Sequence, residues 1–192
     1  MIEIYDSFGV YVDKQQLSLA TRSLHWLVAL SMIFLTVVGF YMSTFEIWDL
    51  YDIHKAVGVT ALIIIIPRIV LRLKKGWPAP VRDYPLWEHR SAVFVHWVLL
   101  LSTIIMPLSG LLYSSASGHG VEILGFVLVP SNYSEVNPSE AIPFDDTLSE
   151  IGEETHKLLG YVLAATIVLH IVGTFKHHYF DKDRTLLRML GK

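Results

Sequence analysis

The sequence predicts an all-α fold, an integral membrane four-helix bundle, and three observations carry that reading. Of 192 residues, 53% are hydrophobic and only 17% are charged, where a soluble domain holds about 25% charged residues. Mean hydropathy is +0.47. The apolar residues gather into four runs, each close to the ~20 residues that a helix needs to cross the hydrocarbon core. Lys and Arg collect in alternate connections, the pattern that sets orientation in a membrane.

The elements follow in order. The first run covers about residues 23–41. The segment before it carries Glu3, Asp6 and Asp13 and lacks the basic start of a signal peptide, so the run reads as a retained helix. The second run, 53–73, opens with "HKAVG"; the third covers 92–113; the fourth, 156–175, opens with "HKLLG". Residues 1–192 read as a single domain. The connection 114–155 is too long for a simple turn. Its "VEILGFVLVP" stretch is apolar but too short to span, and is expected to lie over the mouth of the bundle. The tail "DRTLLRML" is amphipathic and suited to a membrane surface.

Basic residues place these connections. Lys14 and Arg22 precede the first run, Arg72, Lys74, Lys75, Arg82 and Arg90 follow the second, and Lys176, Lys182, Arg184, Arg188 and Lys192 follow the fourth. The other two connections hold eleven acids and only Lys55 and Lys157. Both termini are therefore expected in the cytoplasm. The expected partner is a lipid bilayer, not nucleic acid. The absence of cysteine excludes disulfides, iron–sulfur clusters and c-type haem attachment.

Five of the nine histidines fall on the apolar helices: His25, His54, His96, His156 and His170. Ionisable groups there are functional candidates, although a histidine near a helix end also sits comfortably at the interface. His156 and His170 are 14 residues apart, which is a rise of about 21 Å and about 40° short of whole turns. The two rings share one face at two depths. One metal ion cannot touch both, whereas two flat cofactors stacked across the membrane can. His54 matches the depth of His156, outside, and His25 lies nearer that of His170, inside. Two imidazoles are a standard axial pair for haem iron and leave no position open for O₂.

Gly58 and Gly160 follow their histidines by four residues, on the same helix face. Lacking Cβ, they let a macrocycle lie against the backbone; ordinary close helix packing is the alternative. Gly39 and Gly110 are suited to the same role. Lys55 and Lys157 are placed to meet haem propionates, or to act as plain interfacial anchors. Arg68 is placed for an inner propionate, or for snorkelling to the surface. A faint repeat relates the first two helices to the last two: His25 to Gly39 and His96 to Gly110 have equal spacing, and both later helices share His-Lys-x-x-Gly. By that repeat His96 competes with His25. His177, seven residues past His170, is close to two turns on and shares its face, which suits contact with a substrate near the inner surface.

These residues resemble the bacterial cytochrome b561 family of di-haem membrane proteins. The motifs are "LHWLV", "IHKAVG", "RIVLRLKK", "HWVLLLSTIIMPLSGLL" and "THKLLGYVLAATIVLHIVGTFKHHYFDKDRTLLRML". The resemblance implies two haems b in the bacterial inner membrane. It implies His25 and His170 as inner-haem ligands and His54 and His156 as outer-haem ligands. It also implies electron exchange with quinone, with an electron donor outside. The tail looks most like the member that oxidises superoxide and reduces ubiquinone, which puts His177 near the quinone. Eleven outer acids weaken the steering of an anionic donor. The alternative is a haem-bearing anchor subunit of a hydrogenase or formate dehydrogenase type complex. A third class, a channel or transporter using its histidines for metal or protons, would show no haem absorbance.

Overall fold

The computed structural model describes residues 17–123 and 125–192; the N-terminal stretch with Glu3, Asp6, Asp13 and Lys14 lies outside the described residues. Helix α1 spans Leu19–Phe45. Ser18 caps it, its hydroxyl accepting from Thr21 N–H at 3.3 Å, which meets one of the donors that a helix start leaves open. A single 3₁₀ turn, Trp48–Leu50, leads into α2, Tyr51–Lys75. Helix α3 covers Leu86–Ala116. Strands β1, Val121–Ile123, and β2, Phe126–Val129, form an antiparallel hairpin. Helix α4 covers Asp146–Phe175, runs directly into a π-helical turn, Lys176–Phe180, and is followed by α5, Thr185–Leu190.

Among the described residues, four helices are long and apolar enough to cross a membrane, and the chain is a membrane four-helix bundle. Its surface shows why. The buried cluster is small: Val28, Met32, Leu35, Ala61, Ile65 and Leu163. Many large apolar side chains face outward instead, Ile63 at 71% exposure and Leu169 at 60% among them. In water such a surface would be a liability; in lipid it is the solvent-matched side. Two buried hydroxyls, one on α3 and one on α4, are answered within their own helices. Thr103 donates to Leu100 O at 2.8 Å and Thr166 to Val162 O at 2.6 Å, as the water-free interior demands.

Each helix outruns the apolar run that foretold it. Helix α4 begins ten residues before His156, at Asp146, so the connection is 117–145 and not 114–155. Hydropathy registers only the part of a helix in hydrocarbon, whereas the polar first turns continue beyond it. Asp145 caps this extension, accepting from Leu148 N–H at 2.9 Å. Gly152 then lets α4 lie directly on α3: a Cβ there would come 2.6 Å from the Tyr113 backbone nitrogen. Gly152→Ala is expected to lower stability by about 1–3 kcal/mol through overpacking, read as a lower melting temperature in detergent.

The apolar "VEILGFVLVP" stretch folds as the hairpin. Val121 is buried at 2% exposure against the start of α2. Gly120 before it has φ of +67°, and its carbonyl accepts from Ser114 Oγ at 2.7 Å and from Lys55 Nζ at 3.3 Å. At the opposite end of the bundle the tail folds back onto α1: Trp26 Nε1 donates to Met189 O at 3.0 Å. The beginning of α1 and the end of α4 therefore lie at one end.

Candidate cofactor sites

At the hairpin end, α2 and α4 bring His54 and His156 face to face, ring centroids 6.0 Å apart and planes at 82°. His156 is held firmly. Its Nδ1 lies 2.9 Å from Met106 O and 3.2 Å from Ser109 Oγ. A carbonyl only accepts, so Nδ1 carries the hydrogen and Nε2 keeps its lone pair. This is the support that metal-bound histidines usually receive. His54 Nδ1 is buried with no hydrogen-bond partner among the described residues.

A cavity of about 830 Å³ opens beside this pair, lined by both histidines and by Lys55, Gly58, Lys157 and Gly160. A Cβ on Gly58 or Gly160 would meet nothing within 4 Å, so both glycines present bare backbone to empty space. Gly39 and Gly110 differ from the expectation: a Cβ on Gly39 would lie 3.2 Å from His54 Cε1, and one on Gly110 2.9 Å from His156 Cε1. Their missing side chains make room for the imidazoles. The equivalence of these contacts across the two helix pairs gives the faint sequence repeat a spatial counterpart. Lys55 is 12% exposed and pairs with Asp52 at 3.0 Å; Lys157 is 61% exposed and pairs with Glu154 at 3.7 Å.

At the other end His25 faces His170, centroids 6.4 Å apart at 64°. Arg68 Nη2 reaches His25 Nδ1 at 3.2 Å. His96 is also adjacent to His170, at 5.3 Å, and stacks on Trp77 at 19°. All four paired histidines of the sequence reading thus meet at two levels, with His96 alongside one of them.

His177 stands in a separate polar cluster. Its Nδ1 is 3.0 Å from Asp181 Oδ2 and 3.1 Å from Asp183 Oδ2, and its Nε2 is 3.8 Å from Glu88 Oε1. Lys176 pairs with Glu88 and, at 2.8 Å, with Asp181. Tyr84 donates to Asp183 at 2.5 Å. Burial, then the bond to Asp183, push the Tyr84 phenol up to about 12, so it stays protonated. Burial tends to raise Asp183, but the bonds from Tyr84 and Thr185 outweigh it and hold the carboxyl below its ordinary value.

Sequence reasoning missed several groups. His119 sits in the long connection, where no helical spacing flags it. It packs against Tyr51, Tyr113 and Tyr133, with centroids 5.7–6.3 Å away, and lines the large cavity. Burial, with Lys55 nearby, lowers its pKa. Asp181 lies four residues after His177, a spacing that could have been noticed; Tyr84 and Glu88 arrive only through tertiary structure.

Residues 16–192 match the family model for prokaryotic cytochrome b561. The chain belongs to the prokaryotic cytochrome b561 family. Cytochrome b561 homolog 2 of Escherichia coli K12 is 26% identical over 90% of this chain and 89% of its own length. Cytochrome b561 homolog 1 of the same organism is 28% identical over 88% and 93%. A probable superoxide oxidase, CybB of Yersinia pestis, is 30% identical over 88% and 92%. Membership makes this cytochrome a bacterial multi-pass membrane protein of electron transport, in a family that carries haem b.

Proposed function

We propose that this cytochrome carries two haems b and passes electrons across the inner membrane, from a donor outside to quinone at the end bearing His25 and His170. Both termini then lie in the cytoplasm. His54 and His156 would hold the outer haem, and His25 and His170 the inner one. The observation that carries this reading is the pair of imidazole pairs at two levels. Centroid separations of 6.0 and 6.4 Å accommodate a metal with bonds of about 2 Å to each imidazole plus the half-width of each ring. When bound, haem supplies a one-electron iron couple.

The chain supplies the rest. Met106 O and Ser109 fix the tautomer of His156. Gly58 and Gly160 leave a flat wall, and Lys55 and Lys157 stand at the rim for propionates. Arg68, beside His25, is placed for an inner propionate. The bare wall has a consequence: Gly160→Leu is expected to leave the haem-free fold intact by circular dichroism, because its side chain enters empty space, yet to cut haem loading at the outer level.

Superoxide as donor rests on the likeness of the tail and on the name of the Yersinia relative. The mouth offers two lysines, each paired with an acid, so electrostatic steering of an anion is expected to be modest. His177 is assigned to the quinone head group, with ubiquinone as the expected substrate. The test is oxidation of pre-reduced protein by a soluble ubiquinone analogue. His177→Ala is expected to slow this about tenfold or more with both haem spectra intact. An unchanged rate would move the quinone to another site.

A further inference from the structure

We propose that Asp183, locked by Tyr84, and Asp181 are positioning residues that hold Nδ1 of His177 and free its Nε2 to exchange a proton with the quinone. The inference rests on the assignment of quinone to His177. Two backbone features converge there. Helix α4 gives way to the π turn Lys176–Phe180, a rare local geometry frequent at functional sites. Lys182 then adopts φ of +52°, a left-handed conformation unfavourable for a residue that carries a side chain. The π turn closes with Asp181 N–H donating to Lys176 O at 3.2 Å, and after the reversal Asp183 N–H donates to His177 O at 3.1 Å. Both carboxylates are thereby carried to the same ring nitrogen.

The groups facing His177 come from three segments. The connection before α3 supplies Tyr84, its ring centroid 4.9 Å from the imidazole. Helix α3 supplies Glu88, and the tail supplies Asp181, Asp183 and Lys176. Arg82 adds a donor to Asp181 O at 3.4 Å. Lys176 already occupies the position between Glu88 and Asp181 that a metal ion would need, so a proton-handling cluster fits better than a cation site. Asp183 is the anchored member. It is 5% exposed, accepts from Tyr84 OH at 2.5 Å and from Thr185 N–H at 2.8 Å. His177 Nδ1 lies within ion-pair range of both carboxylates but makes no aligned hydrogen bond to either.

Ionised carboxylates only accept. Asp181 and Asp183 lie 3.0 and 3.1 Å from Nδ1, nearer than Glu88 Oε1 at 3.8 Å from Nε2, so the proton facing them stays on Nδ1 and Nε2 becomes the exchanging nitrogen, the logic by which a buried aspartate orients a catalytic histidine. The balance is simple. Quinone takes two electrons, delivered through the haems, and two protons to become quinol. His177 gives one proton from Nε2, is left as the neutral Nδ1–H tautomer, and regains the proton from solvent, which also supplies the second.

Three variants, Asp183→Asn, Asp183→Glu and Tyr84→Phe, test this beside His177→Ala. Pre-reduced protein is oxidised either by the ubiquinone analogue or by ferricyanide, which takes an electron without a proton. The asparagine amide can donate to Nδ1 and so favours the wrong tautomer. The expected result is a tenfold or greater loss in the maximal quinone rate with KM little changed, ferricyanide rates unchanged, and partial recovery in Asp183→Glu. Tyr84→Phe, which removes only one hydroxyl, is expected to lose about threefold. A slow His177→Ala beside Asp183→Asn and Tyr84→Phe at the wild-type rate overturns the positioning role and leaves quinone at His177. Wild-type rates in all four overturn both.

Discussion

Replacing His156 by alanine is expected to yield protein with half the haem, the outer one absent and the inner one spectrally unchanged. His156 is the better supported member of its pair, with Met106 O and Ser109 at its Nδ1. Its loss leaves His54 facing a void, and one imidazole on haem b is a far weaker hold than two. His54→Ala is expected to give the same result. Gly110→Ala tests the geometry without touching a ligand. Its new Cβ would stand 2.9 Å from His156 Cε1 and 3.0 Å from Nδ1, so the ring must shift and its bond to Met106 with it. The expected outcome is reduced outer-haem occupancy and a shifted midpoint potential in a redox titration. Full, unshifted occupancy would show that the imidazole is not held where the structure puts it.

His25→Ala is expected to abolish the inner haem, while His96→Ala retains it. The two compete by sequence, since each opens a run with His-Trp and is followed 14 residues later by glycine. Geometry favours His25. Its separation from His170, 6.4 Å, matches the 6.0 Å of the outer pair, whereas His96 is 5.3 Å away and stacked on Trp77. A metal between imidazoles needs the wider gap. Low-temperature absorbance and electron paramagnetic resonance of the two variants decide between them. Loss of the inner signal in His96→Ala with retention in His25→Ala would reverse the assignment.

What was legible in the chain, and what was not, follows from the range of the interactions. The four helices could be read because a bilayer selects long apolar runs. Their ends could not, because the first turn at Asp146 and the last near Lys75 are polar and lie beyond the hydrocarbon. The two levels of histidine were legible because the spacing of His156 and His170 along one helix fixes depth and face, whereas the choice between His25 and His96 as the partner of His170 was not. Gly58 and Gly160 likewise carry their position in their offset from a histidine. Gly39 and Gly110 were visible as a repeat, but what they make room for depends on the neighbouring helix. Contacts joining distant segments left no pattern. His119 among three tyrosines, and Tyr84 with Glu88 around His177, exist only once the connections fold. The long connection read as an apolar cover and formed a hairpin, a distinction that its composition did not carry.

Two haems on one small bundle are tested most directly by the haem-to-protein ratio of purified protein, taken with its absorbance and paramagnetic spectra. The expected result is two haems b per chain, both low-spin with two histidine ligands each, resolved as two midpoints in a redox titration. A single haem per chain, or a high-spin iron with an open position, would contradict it.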